Sequence, residues 1–326
     1  MNIDEILYYG NSLDFYHTWE RPKVIISDGP YGVSGYKGDT HSPELMIEDY
    51  ELHIKEWTKY ALPGATLWFW NTEIGWANIH PILNRYGWIY KGTNTWNKTI
   101  RFAAGNTNTK TLTKFPVVTE ICVQYILPHK FFINDEQVSE KEWLRSEWKR
   151  TGLPFSEANI ACDVKSAATR KYLSSDHLWY SPPKNAFEKL VNYANKNGKK
   201  TNIPYFSIDK ERPLTAEEWE NIHPYFNLKA GITNVWDVPQ LSGKERIRIE
   251  GKNKSLHNNQ KPLQLMERII EASSKESDMI WEPFGGLCSA VVAAQKLKRR
   301  AVAAEINPEM YEFAKNRLKI EQLSLF

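Results

Sequence analysis

The fold is decided by residues 278–305, which read DMIWEPFGGLCSAVVAAQKLKRRAVAAE. Asp278 to Glu282 is a short apolar run typical of a buried strand, and the glycine turn Pro283-Phe284-Gly285-Gly286 follows it. A helix from about Ser289 to Lys298 then leads to a second strand, Ala301 to Glu305. Glycines let the backbone approach a ligand, and an acid at the end of the next strand can chelate a ribose diol. This order predicts a nucleotide-binding βαβ unit.

The same alternation extends in both directions from this unit. Asn307 and Pro308 have the residue types of a helix start, so we expect a final helix to Ile320. Lys261-Pro262 opens a helix upstream of the unit. In the first 130 residues, further strands are predicted by the apolar runs Val24–Asp28, Thr66–Trp70, Gly87–Trp96 and Val117–Leu127. The pattern predicts an α/β fold with a doubly wound, mainly parallel Rossmann-like sheet covered by helices on both faces.

Residues 131–236 interrupt this rhythm. The stretch is polar, aromatic and punctuated by prolines, and it offers no βαβ pattern. It includes one clear helical segment, Lys141 to Arg150. We therefore predict three parts: residues 1–130 and 237–326 form the two halves of the α/β domain, and 131–236 is a domain inserted between them.

Composition narrows the class of protein only slightly. The chain has 326 residues, is 41% hydrophobic and 25% charged, and carries a formal net charge of +3, as an ordinary globular protein does. Two net basic stretches, Lys184–Lys200 and Lys244–Lys254, could neutralise phosphates or could be solvated faces. There is no signal-peptide pattern, no membrane-length apolar run, and no cysteine or histidine spacing typical of a disulfide or metal site. A cytoplasmic location without membrane partners fits best.

The segment Asp28-Gly29-Pro30-Tyr31 directly follows a predicted buried strand, where open α/β sheets place ligand sites. The Asp28 carboxylate and the Gly29 carbonyl could accept hydrogen bonds from a ligand and stabilise a positive charge on it. The Tyr31 ring could stack on a planar ligand. Taken alone, Asp-Gly is equally typical of a plain turn.

Four elements in the chain carry a resemblance to a known family. Asp28-Gly29-Pro30-Tyr31 resembles an Asp-Pro-Pro-Tyr motif, and Glu282-Pro283-Phe284-Gly285-Gly286 resembles an Asp-Pro-Phe-x-Gly motif. His257 to Pro262 resembles a Gln-Lys-Pro element, and Gly10-Asn11-Ser12 a Gly-Asp element. Their order, with the Asp28 motif first, is similar to that of the β-class amino-group (adenine-N6 or cytosine-N4) DNA methyltransferases. Gly29, Asn11 and Cys288 depart from the family pattern.

The resemblance implies a site-specific DNA methyltransferase that uses S-adenosylmethionine and acts on a flipped base of double-stranded DNA. The catalytic residues would be Asp28, Gly29, Pro30 and Tyr31, and no metal is implied. Residues 131–236 would be the target-recognition domain. A homodimer and a cognate restriction endonuclease are partners that the family allows. The cofactor-binding residues would be Asn11, His257, Lys261, Pro262, Glu282, Phe284, Gly285, Gly286 and Glu305.

Two other functions are compatible with parts of the sequence. A nucleotide-dependent oxidoreductase could use the glycine turn, but it leaves the Asp28 and Gln-Lys-Pro elements unexplained. A DNA-binding protein that has kept the fold and lost methyl transfer would accommodate the departures at Gly29 and Cys288. Asp28 as the first motif residue favours adenine N6 over cytosine N4, where serine is the commoner choice.

Overall fold

A computed structural model of the protein describes residues 3–32, 43–99, 113–241, 245–247 and 260–324. Its strands are β1 (Leu7–Tyr9), β2 (Val24–Ser27), β3 (Ala65–Asn71), β4 (Ile89–Asn97), β5 (Thr119–Leu127), β6 (Phe131–Ile133), β7 (Glu136–Val138), β8 (Val235–Asp237), β9 (Met279–Glu282) and β10 (Arg300–Glu305). Its α-helices are α1 (Pro43–Tyr60), α2 (Glu73–Arg85), α3 (Glu140–Arg150), α4 (Glu157–Ala161), α5 (Lys184–Asn197), α6 (Ala216–Asn221), α7 (Leu263–Ser273), α8 (Ser289–Lys296) and α9 (Pro308–Ser324).

The chain divides into two compact units. One comprises Met1–Pro128 and Pro224–Phe326, and the other is His129–His223. The predicted insertion, 131–236, begins close to the first residue of the second unit, but its last residues, 224–236, lie in the first unit. Strand β8 pairs with β4, and Trp236 is 3% exposed in the core of the first unit. Residues 224–236 therefore belong to the first unit.

The first unit is built on one eight-stranded sheet with the order β1-β10-β9-β2-β3-β5-β4-β8. Neighbouring strands from β1 to β3 are parallel, and β4 and β8 are parallel to each other. Strand β5 is antiparallel to both β3 and β4. Among the described strands of this sheet, β5 alone runs in the opposite direction, so the predicted mainly parallel sheet is confirmed.

Alternation along the central strands explains why helices cover both faces of this sheet. Successive side chains of a strand point to opposite faces. Val24 and Ile26 of β2 pack in one core with the apolar side of α7 and α8, whereas Ile25 packs in a second core with α1 and α2. Both sets are fully buried, which makes β2 a continuous apolar run, as parallel strands require. In the described part of the chain, every helix is too short or too polar to cross a bilayer.

The second unit has its own aromatic core. The β6–β7 hairpin precedes α3, which covers the predicted Lys141–Arg150 helix, and a π-helical turn at Ala168–Tyr172 separates α4 from α5. Ser139 starts α3 with a capping box that involves Glu142. The rings of Phe187 and Trp219 stack at 4.0 Å between centroids. This unit therefore has a hydrophobic core of its own.

Candidate active site

The two predicted motifs meet at a topological switch point of the sheet. Strands β9 and β2 are neighbours, and the chain continues from β9 to β10 on one side and from β2 to β3 on the other. Ligands bind outside the carboxyl ends of parallel strands at such a point. Because β5 runs the other way, its first residues lie at the same edge of the sheet: Trp96 near the end of β4 pairs with Glu120.

Two side chains from other elements of the fold hold the turn after β2 by hydrogen bonds. The carbonyl oxygen of Pro30 accepts hydrogen bonds from the Tyr50 hydroxyl at 3.2 Å and from Asn71 Nδ2 at 3.3 Å. Asn71 is fully buried at the end of β3 and Tyr50 is 1% exposed. These contacts fix the path of the backbone between Asp28 and Tyr31. The sequence alone gave no indication of either partner.

Gly29 lies in direct contact with the glycine turn that follows β9. A Cβ atom at this position would be 2.6 Å from the Tyr50 hydroxyl oxygen and 2.7 Å from two ring carbons of Phe284. Its φ angle is not in the left-handed region. Glycine is therefore required here by packing, and the tyrosine and phenylalanine rings fill the space that a proline would need. Residues far apart in the sequence, 29 and 284, are thus brought together.

A buried cluster of charges surrounds Asp28. Lys261 Nζ lies 2.7 Å from Asp28 Oδ1, 2.9 Å from Glu120 Oε1 and 3.0 Å from the Tyr31 hydroxyl. The Tyr31 hydroxyl is 2.8 Å from Asp28 Oδ1 and 2.5 Å from Glu120 Oε1. Lys98 Nζ contacts the other oxygen, Glu120 Oε2, at 2.7 Å. The four charged side chains alternate in sign, so each buried charge has an opposite neighbour.

This pairing determines the protonation of the cluster. Burial alone would raise the pKa of Glu120, but Lys261 and Lys98 hold it at about 2. Burial opposes the charge on Lys261, yet the Asp28 and Glu120 carboxylates raise its pKa above the usual range. Burial and the same carboxylates raise the pKa of Tyr31. Glu120 and Lys261 are consequently charged and the Tyr31 hydroxyl is protonated at neutral pH.

Lys261 was predicted to bind the cofactor, and the structure places its ammonium beside the predicted catalytic carboxylate. The ammonium also lies 5.4 Å from the centroid of the Tyr31 ring and 5.2 Å from that of Trp70. Pro262 is buried and precedes α7 as its N-cap residue. These contacts do not show cofactor binding, so a role in binding the cofactor stays a prediction for Lys261 and Pro262. His257 lies outside the described residues.

The glycine turn after β9 leads to the acid at the end of β10. The Gly286 N–H donates to Glu305 Oε2 and the Asn307 N–H donates to Glu305 Oε1, both at 2.7 Å. Gly285 N–H donates to the carbonyl of Ala304 at 2.8 Å. Gly286 has a φ of +51°, and no atom lies within 4 Å of the position of its missing Cβ. The turn thus leaves open space beside an oriented, half-buried carboxyl group.

Cys288 stands where the family pattern has its last glycine, and its backbone keeps the conformation that favours glycine. Its φ is +55°, and its side chain is fully buried at the start of α8. Left-handed backbone is costly for a residue with a Cβ atom. Cys288 therefore adopts, at the start of α8, a backbone conformation that a glycine would adopt at lower cost.

Glu282 and Asn11 both make local contacts. The Glu282 carboxylate is 5% exposed and accepts the N–H groups of Ala290 and Val291 in the first turn of α8. Burial raises its pKa to about 8, against these hydrogen bonds. Asn11 is exposed, and its side chain accepts the N–H of Leu13. Its neighbour Gly10 donates to the carbonyl of Glu305 at 3.0 Å, so Asn11 lies near the end of β10.

Two charged residues of the cluster, Glu120 and Lys98, were missed by sequence reasoning. Glu120 is the one charged residue in β5, and that departure from the strand pattern was the available signal. Lys98 directly follows β4 and has no comparable signal. Their pairing depends on the antiparallel direction of β5, which residue types do not specify.

Solved structures share the fold of this chain. The fold matches a crystal structure of M1.HpyAVI in complex with SAM, with a TM-score of 0.53 and 16% identity over 96% of this chain and 98% of that chain. It also matches the cytosine-N4-specific PvuII DNA methyltransferase, with a TM-score of 0.50 and 9% identity over 97% of this chain and 90% of that one. At such identities the likeness shows the fold: a Rossmann-like sheet of the kind found in amino-group methyltransferases.

The sequence profile of a family described as DNA methylase (N6_N4_Mtase) matches residues 23–316. The chain belongs to this family of N6/N4 DNA methylases, which confirms the resemblance and excludes the oxidoreductase. A segment of 107 residues is 33% identical to the type II methyltransferase M.HindIII of Haemophilus influenzae, over 33% of each chain. The matched segment thus spans about a third of that relative's length.

Proposed function

We propose that this protein transfers a methyl group from S-adenosylmethionine to an exocyclic amino group of a base flipped out of double-stranded DNA. Adenine N6 is favoured because the first residue of the motif is Asp28. One observation carries the proposal: Gly29 of the predicted catalytic turn touches Phe284 of the predicted cofactor turn. A reaction between a cofactor and a base requires these two turns to lie side by side.

The residues after β9 and β10 fit this cofactor. Gly286 has open space on its Cβ side, which suits close approach of a ligand to the backbone. The Glu305 carboxyl group, oriented by two backbone N–H groups, can accept hydrogen bonds from a ribose diol. When bound, S-adenosylmethionine supplies an electrophilic methyl group on a sulfonium.

The protein's own residues then prepare the amino nitrogen. Asp28 and the carbonyl of Gly29 accept its N–H bonds and stabilise the positive charge that develops there. The Tyr31 ring stacks on the base, with its hydroxyl held by the charge cluster. The amino nitrogen attacks the sulfonium methyl group directly, so the site needs no covalent intermediate. The N–H proton that the nitrogen then loses passes to the Asp28 carboxylate that accepts it, and from there to water. We further propose that 131–236 contributes to target recognition. We also propose that the protein works in the cytoplasm as a homodimer, together with a cognate endonuclease.

The test is incorporation of tritiated methyl groups from S-adenosylmethionine into unmodified plasmid DNA by wild type and Asp28→Ala. We expect incorporation by wild type and a loss of about 10²–10³-fold in the variant, because the principal acceptor is removed. Nucleoside analysis of the product then separates N6-methyladenine from N4-methylcytosine. If wild type binds DNA and incorporates no label, it is a DNA-binding protein with a degenerate methyltransferase fold.

A further inference from the structure

Glu120 is a buried, ionised carboxylate that the proposed chemistry does not use. It is 7% exposed at the start of β5, and its two oxygens have different partners. Oε1 contacts the Tyr31 hydroxyl at 2.5 Å and Lys261 Nζ at 2.9 Å, while Oε2 contacts Lys98 Nζ at 2.7 Å. Burying a carboxylate is costly unless it is paired, and both oxygens of Glu120 are paired.

Both partners of Glu120 Oε1 also contact Asp28, and on the same oxygen. Tyr31 and Lys261 reach Oδ1 of Asp28 at 2.8 and 2.7 Å, and these are the contacts that the described residues make with this carboxylate. A phenol has one proton to donate, whereas an ammonium has three. The Tyr31 proton is shared between two acceptors, and the Lys261 donors match three oxygens. Glu120 thus sets how strongly Tyr31 and Lys261 engage Asp28.

We propose that Glu120 is a positioning residue for methyl transfer: through Tyr31 and Lys261 it fixes Oδ1 of Asp28, so that Oδ2 accepts the N–H of the substrate amino group. The inference rests on the proposed function and names a residue that acts through others. It also assigns the hydroxyl of Tyr31 a task, because an anchored hydroxyl holds the ring in one plane for stacking.

The charges around Lys261 determine what removal of Glu120 would do. In Glu120→Gln, Lys261 and Lys98 would lose the carboxylate that lies between them, and Asp28 would be the one carboxylate left in contact with Lys261. Tyr31 and Lys261 would then hold Asp28 without their second anchor. Burial lowers the pKa of Lys261, and one of the two carboxylates that raise it would be gone, so this pKa would fall. The titratable and charged groups that act within this cluster are Asp28, Tyr31, Lys98, Glu120, Cys122 and Glu282.

The test compares Glu120→Gln with Lys98→Met/Glu120→Gln, in which the cluster is again neutral. Glu51→Gln is the matched control, because this glutamate forms an ion pair with Arg85 on the surface of α1 and α2. Rates of tritiated methyl transfer to unmodified plasmid DNA are divided by the concentration of sites that bind S-adenosylhomocysteine in calorimetry. This division removes any effect of a smaller folded fraction.

We expect kcat of Glu120→Gln to fall about 10²-fold, as small misplacements of reacting groups do, with KM for both substrates changed by less than about threefold. The double variant should regain about tenfold of the rate. The rate of Glu120→Gln should also decline at lower pH than that of wild type on the alkaline side, between about pH 7 and pH 10, because Lys261 loses its proton earlier. A structural role would leave this pH profile unchanged.

Three results would overturn the inference, and they are distinguishable. If wild type methylates DNA and Glu120→Gln matches Glu51→Gln in kcat and pH profile, Glu120 has no positioning role while the proposed function stands. If wild type itself transfers no methyl group to DNA, the proposed function and the inference fail together. Loss of rate in Glu120→Gln that the added Lys98→Met change does not restore contradicts the charge balance on which the inference depends.

Discussion

Replacing Gly29 by alanine is expected to destabilise the protein, because the added methyl group has no room. Its Cβ would lie 2.6 Å from the hydroxyl oxygen of Tyr50 and 2.7 Å from Phe284 ring carbons. Tyr50 is 1% exposed, and Phe284 packs against Trp57 and His53, so neither ring can move without disturbing its neighbours. Overpacking of this kind costs about 1–3 kcal/mol. We expect the free energy of unfolding to fall by about that amount.

Urea unfolding followed by tryptophan fluorescence measures this change, and Gly92→Ala in β4 is the control. Nothing lies within 4 Å of the Cβ position at Gly92, and neither glycine has a positive φ. The two sites therefore differ in the space that they offer to the added methyl group. Gly92→Ala should change the free energy of unfolding by less than about 0.5 kcal/mol. Equal unfolding of the two variants would refute the packing explanation for glycine in the catalytic turn.

Two further substitutions test the glycine turn and the carboxylate beneath it. Cys288→Val should be less stable to urea than Cys288→Ala by at least about 1 kcal/mol, because a β-branched residue is strained at φ +55°; equal stabilities would contradict this. Glu282 has a pKa of about 8 in the folded protein, so as pH rises from about 4.5 towards 8 the unfolded state releases its proton first and wild type loses stability. Glu282→Gln has no such proton to release and should not lose this stability. The difference in free energy of unfolding between this variant and wild type should therefore change with pH, by at most about 1.4 kcal/mol per pH unit. A difference that stays constant between pH 5 and pH 8 would contradict this prediction.

Local patterns predicted much of the fold. The apolar runs at β2, β3, β9 and β10 are buried parallel strands, and such runs are visible in any window of a few residues. The end of the insertion was harder to predict. Strand β8 has three residues, too few for a periodic pattern, and its membership in the sheet depends on pairing with β4 across a long stretch of sequence.

The candidate site was predictable where it consists of turns and unpredictable where it consists of partners. Asp28 directly follows β2 and Glu305 ends β10, so their positions follow from the strands themselves. Lys261, in contrast, was predicted on the cofactor side, and its ammonium is paired with Asp28 and Glu120. The reason is electrostatic, because a buried ammonium is stable only when carboxylates pair with it. One of those carboxylates, Glu120, is positioned by the direction of its strand, which the sequence does not specify.

The sheet described above has a three-residue strand at each edge, Leu7–Tyr9 and Val235–Asp237. Strands this short expose few unpaired backbone N–H and C=O groups, so they are poor templates for a strand of another molecule. Copies of this protein should accordingly resist growth into ordered β-aggregates through these edges. If two copies associate, we expect side chains of helices and loops to form the contact, and each sheet to remain complete by itself.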